Sequence, residues 1–355
     1  MNDKIRVLVA GCGNMGASHA RAYHKMPEFE IVGLVSRSPE SRKDLNDELG
    51  GLPGFNSFEE ALSTTKPDAV SINTYPDTHA EYVIKSLEAG AHVFVEKPLA
   101  VTVEEAQAIA DKAKELNKKV VIGYILRVHP AWKKFIDLAK TLGKPLVMRM
   151  NLNQQSSDKT WATHLNLMKS MSPIVDCGVH YVDVMCQMTE AEPVSVNAIG
   201  AKLTDEIADD MYNYGHLQVT FSDGSVGWYE AGWGPMISET AFFVKDVFGP
   251  KGALSIMEKT DNSNDIDSHT QTNSLKLHHA QLGADRKFAK KDEIISTEDE
   301  PDHQGLCDLE QAFFLKAIQE DIDLTQHVND AINSLKIVLA ADKAFKTGKT
   351  VFLDE

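Results

Sequence analysis

Three groups of residues carry side chains and backbone from which chemistry could be built. Gly11-Cys12-Gly13-Asn14-Met15-Gly16 stands near the start of the chain, Glu96-Lys97-Pro98 follows further on, and Asp176-Cys177-Gly178-Val179-His180 with Asp183 lies near the middle. Glycines at the first spacing form a phosphate-binding turn when an apolar strand precedes them and a helix follows. Residues 5–10 are such a strand, and a helix is expected from Asn14 through His24. Gly11 would permit the tight turn, Gly13 would let the backbone approach a pyrophosphate, and Gly16 would let the helix pack on the strand. The amides of Asn14 and Met15 would then face the phosphates at a helix N-terminus. A plain tight turn is the alternative, but the strand and helix around it point to a dinucleotide cofactor.

The end of the second strand distinguishes NAD from NADP. An acidic residue about 20 positions past the glycines would bond the ribose 2′-hydroxyl of NAD. The chain reads Ser36-Arg37-Ser38 there, with no carboxylate. Arg37 could pair with a 2′-phosphate through charge-assisted hydrogen bonds, which favours NADP and leaves NAD possible. Arg37 could also stack on an adenine or lie in solvent.

Lys97 follows a short apolar strand, so it falls at a strand's carboxyl end, where ligands bind in open α/β sheets. A lysine there can polarise a carbonyl or stabilise an alkoxide. Its alternative is a surface lysine paired with Glu96. Pro98 fixes the chain direction and allows a cis bond. Asp176 and His180 are four apart, so on a helix they share a face, which Asp183 continues. A carboxylate beside an imidazole suits a general acid/base working near neutral pH. Gly178 would leave room for a close approach to that helix. The alternatives here are a helix-terminal Asp with a satisfied buried His, or a metal site. The metal reading lacks a third ligand at convincing spacing, so no metal is expected.

The elements that must position these residues fall into two textures. Residues 1–124 alternate strand and helix: strands at 5–10, 29–35, 69–73, 92–95 and 120–124, helices at 38–48, 78–89 and 102–116. Ser38-Pro39 and Thr102 with Glu105 read as helix starts, and Gly90 as a helix stop. Such alternation predicts an α/β domain with a doubly wound parallel sheet, the Rossmann arrangement. Residues 125–355 read as α+β: a helix at 130–142, β segments at 146–152, 194–201, 214–221, 225–231 and 241–248, then helices at 306–320 and 329–347. Ser222-Asp223-Gly224-Ser225 is a hairpin signal. Residues 258–300 are polar and show no clear strands.

The chain has 355 residues, 43% of them hydrophobic, and a formal net charge of −16. That charge argues against nucleic acid or an anionic membrane as a partner. The four cysteines make no C-x-x-C pair, the N-terminus shows no leader, and no apolar run reaches membrane-span length. The expected compartment is the cytoplasm.

Taken together, the motifs resemble the glucose–fructose oxidoreductase, inositol dehydrogenase and MocA (Gfo/Idh/MocA) family over nearly the whole chain. The resemblance rests on the glycine turn, Thr74 with His79 ahead of Ala89-Gly90, and Glu96-Lys97-Pro98. It continues through Gly123-Tyr124 with Arg127 and Pro130, the Asp176/Gly178/His180/Asp183 motif, and the tail at 313–318 and 335–348. It implies a Rossmann domain followed by an open-faced, largely antiparallel sheet domain that often builds homodimers or homotetramers. It also implies reversible oxidation of a secondary alcohol on a sugar, cyclitol or related polyol. Carried over, Lys97 bonds the reacting hydroxyl, His180 takes its proton, and Asp176 holds substrate and tunes His180. Thr74, His79, Glu96 and Arg127 join the cofactor contacts, and Tyr124 and Trp161 the substrate contacts.

The chain departs from the family pattern in two places. Lys169-Ser170-Met171-Ser172-Pro173 replaces a glycine-rich stretch, after what reads as a loop carrying Trp161 and His164, and Tyr75 stands where proline often follows the threonine. Tyr212, Trp228 and Trp233 could also present flat faces to a ring, although at least two of these aromatics are expected in the core. His278-His279 reads as surface without ligand partners. Two rival functions remain at this stage. One is a glycosidase using a retained NAD in transient oxidation. The other is a dinucleotide-binding sensor without catalysis, against which the intact Lys97, Asp176 and His180 set argues.

Overall fold

The computed structural model describes all residues except 1–3, 239–243, 258–269, 271, 298 and 354–355. The chain divides into two compact units, Met1–Val128 with Pro301–Ile332 and His129–Glu300 with Asn333–Glu355.

The first unit is built on six parallel strands in the spatial order Gly54–Phe55, Phe29–Val35, Ile5–Ala10, Ala69–Ile72, His92–Glu96, Val120–Gly123. The order reverses beside Ile5–Ala10, the topological switch point of a doubly wound sheet. The central strands are mostly apolar because helices cover both faces. Val7, Leu8, Val9, Val93, Phe94 and Val95 are all fully buried. Local chemistry sets the helix ends as expected. Ser38 Oγ accepts from Ser41 N at 3.3 Å ahead of Pro39–Leu49, Thr102 Oγ1 accepts from Glu105 N at 3.2 Å, and Gly90 stops its helix with φ +86°. The strand Gly54–Phe55 and the helix Phe58–Thr65, capped by Ser57, were not expected. A two-residue strand leaves no period to read, and an eight-residue helix leaves little.

The tail returns to this unit. Helix His303–Gln319 packs on helix Asn14–Lys25, and Phe314, Ala317 and Leu324 share one apolar cluster with Tyr23, Phe29 and Phe94. The two helices are also joined by Lys25 to Asp308 at 3.0 Å and by Gln304 Nε2 to Ser18 O at 3.0 Å. A segment distant in sequence thus completes the first compact unit.

Among the described residues the second unit holds a nine-stranded sheet. Its order is Glu293–Ser296, Ser274–His279, Gly252–Met257, Lys245–Gly249, Val147–Gln155, Val226–Gly234, Tyr214–Phe221, Pro193–Ala201, Val351–Phe352. Every pairing is antiparallel except that of Val147–Gln155 with Val226–Gly234. The segment 258–300, unreadable in sequence, supplies Ser274–His279 and Glu293–Ser296. In the former, Leu275 and Leu277 are buried between less buried neighbours, a period-2 pattern too short to stand out. Of the expected 241–248 strand, residues 241–243 lie outside the described residues.

Burial alternates along the strands: Met148, Met150, Leu217, Val219, Tyr229 and Val247 turn inward, whereas Val147, Arg149, His216, Gln218, Trp228 and Phe248 lie on the other face. There Arg149 forms a bidentate pair with Asp246 (2.8 and 2.5 Å) and lies over the Phe248 ring. Among the described residues no helix is long and apolar enough to cross a membrane.

Candidate active site

The glycine turn has the form that a pyrophosphate requires. Gly11 sits at φ +93°, and a Cβ there would lie 2.3 Å from Asn73 O. A Cβ on Gly16 would lie 1.9 Å from Gly11 O, so the helix packs against the turn with no space for a side chain. Nothing lies within 4 Å of a Cβ built on Gly13, which is exposed together with Asn14. No side chain caps the Asn14–Lys25 helix and its first turn carries no acid, which leaves the N-terminus suited to an anion. Gly11 N donates to Val35 O (2.8 Å) and Asn73 N to Ala10 O (2.7 Å), stitching the turn to its neighbouring strands. Cys12 is buried within it, and burial pushes its thiol up to about 11.

At the end of the second strand Ser36 is half-buried and Arg37 is exposed. Ser36 Oγ accepts from Ser38 N at 3.2 Å. Arg42, not singled out from the sequence, fixes this corner: its Nη1 donates to Ser36 O (3.1 Å), Phe55 O (2.6 Å) and Asn56 Oδ1 (2.7 Å). Its signal was its place on the polar helix directly after the Ser36-Arg37-Ser38 turn.

The next two strand ends carry Thr74 and Lys97. Thr74 Oγ1 lies 2.6 Å from Thr78 Oγ1. His79 is fully buried, with Nδ1 2.8 Å from Pro98 O and Nε2 3.0 Å from Thr74 O. Its ring lies between the Thr74 loop and the segment after Lys97, and burial pushes its pKa below the ordinary histidine value. Glu96 is 7% exposed and receives His19 Nε2 at 2.8 Å and Lys97 N at 3.2 Å. Burial disfavours its charge, but the His19 bond and the positive Lys97 hold its carboxyl below the usual range. Lys97 is half-buried, and the Lys97–Pro98 bond is cis. At the last strand end Tyr124 is 1% exposed, with the Arg127 guanidinium 4.6 Å over its ring, and Arg127 Nη1 donates to His327 O at 2.8 Å. The first unit thus gathers the glycine turn, Ser36, Arg37, Thr74, Lys97 and Tyr124 at the carboxyl ends of parallel strands, the edge at which such sheets bind ligands.

In the second unit Asp176 ends a short helix, Pro173–Asp176, and His180 lies in the first turn of the next, Gly178–Thr189. The expected single helix is interrupted at Cys177, although Cys177 keeps helical angles (φ −90°, ψ −39°), so the four-residue spacing survives. Asp176 and His180 are half-buried, whereas Asp183 is 1% exposed and accepts from Gln187 Nε2 at 2.8 Å. The group that Gly178 admits is Tyr229, whose ring would meet a Cβ there at 2.9 Å. Trp161 and His164 stand on a helix, Asp158–Leu167, where the sequence read as loop; Trp161 and Leu165 pack against a cluster of Met168, Cys177, Ile207 and Trp233. Trp161 Nε1 donates to Glu206 Oε1 at 3.1 Å. Tyr212 and Trp233 are core, while Trp228 is half-buried. His278 and His279 pair with Asp292 (2.8 Å) and Glu293 (2.7 Å), acidic neighbours that their strand alone did not reveal.

Comparison with known proteins agrees with this architecture. Residues 5–124 match the model of an oxidoreductase family with an NAD-binding Rossmann fold, and residues 131–255 match the GFO/IDH/MocA C-terminal domain. The chain belongs to the Gfo/Idh/MocA family and is an NAD-binding oxidoreductase. It is 26% identical over 368 residues to scyllo-inositol 2-dehydrogenase (NAD(+)) of Bacillus subtilis, covering 100% of this chain and 98% of that protein. It is 22% identical to D-glucoside 3-dehydrogenase of Escherichia coli, covering 89% and 94%. Among solved structures, scyllo-inositol dehydrogenase from Lactobacillus casei, with bound NAD(H) and scyllo-inositol, has the same fold, with a TM-score of 0.77 at 20% identity over 99% of this chain and 100% of that one.

Proposed function

We propose that this oxidoreductase interconverts a secondary alcohol and a ketone on a sugar, cyclitol or related polyol. The observation that carries the reading is Lys97, placed at the carboxyl edge of the sheet that holds the glycine turn and rooted there by the buried Glu96. Gly11, Gly13, Asn14, Met15 and Gly16, with Ser36, Arg37, Thr74 and Arg127, would hold a nicotinamide dinucleotide, which would supply the hydride acceptor. Lys97 donates to the reacting oxygen and stabilises its developing negative charge. His180 takes the hydroxyl proton as general base, so the alcohol loses H⁻ and H⁺ and becomes a ketone. Asp176 binds substrate beside His180, while Tyr124 and Trp161 complete the substrate contacts. His79 and Glu96 support this edge from within.

NADP is the favoured cofactor in this reading. Arg37 is exposed at the second strand end, and that turn carries no carboxylate of its own. The half-exposed apolar residues Val147, Val226 and Phe248 on the outer sheet face support a homodimer or homotetramer built through that face. The buried cysteines and acidic surface suit a cytoplasmic enzyme.

The test is reduction of NADP⁺ and NAD⁺ by purified protein over a panel of inositols, aldoses and glycosides. Turnover of at least one polyol, lost in Lys97→Met, is expected. Cofactor binding without turnover of any panel member would overturn the reading.

A further inference from the structure

We propose that Gln311, from the tail helix, is a positioning residue for Lys97: its amide locks the tautomer of His19, and His19 in turn pins Glu96. This rests on the reading of Lys97 as the residue that bonds the reacting hydroxyl.

The lock is a chain of four contacts within the first unit, the first three of them buried. Tyr23 Oη donates to Gln311 Oε1 at 2.5 Å, and Gln311 Nε2 lies 2.8 Å from His19 Nδ1. His19 Nε2 lies 2.8 Å from Glu96 Oε1, and Glu96 Oε2 accepts from Lys97 N at 3.2 Å. Donor and acceptor roles follow from both ends. An ionised carboxylate only accepts, so His19 Nε2 carries a hydrogen. The phenol donates to the amide oxygen, so the amide N–H groups face Nδ1, which must accept. Tyr23, His19 and Gln311 are fully buried, where a mismatched donor has no water to turn to. The carboxylate that folds back onto the Lys97 amide is thereby held in one orientation.

His19, Cys307 and Glu310 also bring ligand-type atoms within 4.8 Å of one another, and both Glu310 oxygens are buried without a hydrogen-bond partner. A metal ion there would need an imidazole lone pair, but both His19 nitrogens are already committed. Burial, and then the negative charge of Glu96, push the Glu310 carboxyl well above its usual range. The carboxylate oxygen within hydrogen-bond reach of His19 Nε2 is that of Glu96, at 2.8 Å.

The experiment is ring ¹⁵N NMR of the full-length protein labelled at histidine, with His19 assigned by its loss in His19→Asn. The expected spectrum shows Nδ1 bare and Nε2 protonated. Gln311→Glu, which can only accept, should protonate both nitrogens and lower kcat about 10-fold with KM for the cofactor changed less than about 2-fold. If Gln311→Glu does not fold, Tyr23→Phe keeps the ring and frees the amide to turn, and a mixture of His19 states is expected. A wild-type His19 protonated on both nitrogens would overturn the lock, as would a stoichiometric co-purified metal that shifts its signals. A tautomer change with unaltered kcat would overturn the link to Lys97. An active Lys97→Met would remove the underlying reading, whereas the spectrum would still decide the lock.

Discussion

His164 and Trp233 stack face to face, with centroids 4.4 Å apart and planes 8° from parallel. His164 Nδ1 lies 2.9 Å from Ser156 Oγ, and burial pushes the imidazole pKa down to about 4. In the unfolded chain the same ring titrates near its ordinary value, about 6.5. Below that value the unfolded state binds a proton that the folded state refuses, so stability is present above pH 6.5 and is lost as pH falls toward 4. The loss is on the order of 3 kcal/mol for such a shift. His92, lowered to about 4 by burial and then by Lys118 and Lys119, acts in the same window. Urea midpoints measured from pH 7 to pH 4 should fall, and His164→Phe should make that slope measurably shallower. A slope unchanged in His164→Phe would remove this account.

Lys97→Met removes the cation while keeping an unbranched side chain of similar length. The expected loss in kcat is about 10²–10⁴-fold, with cofactor affinity measured by fluorescence titration within about 2-fold. His180→Asn should cost a comparable factor.

Arg37→Ala should lower kcat/KM with NADP about 10-fold or more relative to NAD, the loss of one charge-assisted phosphate contact. An unchanged ratio would leave the 2′-position unread by this residue.

Gly16→Ala places a Cβ 1.9 Å from Gly11 O. The turn or the helix must then move, so cofactor binding should fall below detection by calorimetry, with thermal stability lowered as in overpacked sites, about 1–3 kcal/mol. Gly13→Ala meets nothing within 4 Å in the protein, so its fold should hold while cofactor affinity drops.

Much of the first unit was legible because its signals are local. The glycines, the Ser38 and Thr102 caps and the apolar strands each need only a few neighbours to be read. Lys97, Asp176 and His180 were singled out by residue type and spacing. His19, Arg42 and Gln311 were not, because what marks them is a partner far along the chain: Gln311 meets His19 only after the tail returns. The helix at Asp158–Leu167 escaped for a related reason, since its apolar side chains are explained by Trp233 and Ile207 rather than by its own period. The strand Ser274–His279 is held by its pairing with Gly252–Met257, a relationship that alternation over six residues barely hints at.

The return of Pro301–Ile332 to the first unit sets an order of assembly during synthesis. The ribosome releases the whole nucleotide-binding sheet long before it makes Phe314, Ala317 and Leu324, which complete the apolar cluster around Tyr23 and Phe94. Until then the nascent chain carries an uncovered greasy flank and a His19 with no Gln311. The apolar cluster of the first unit is therefore complete only in the finished polypeptide, and an excised 1–128 fragment would lack Phe314, Ala317 and Leu324 over it.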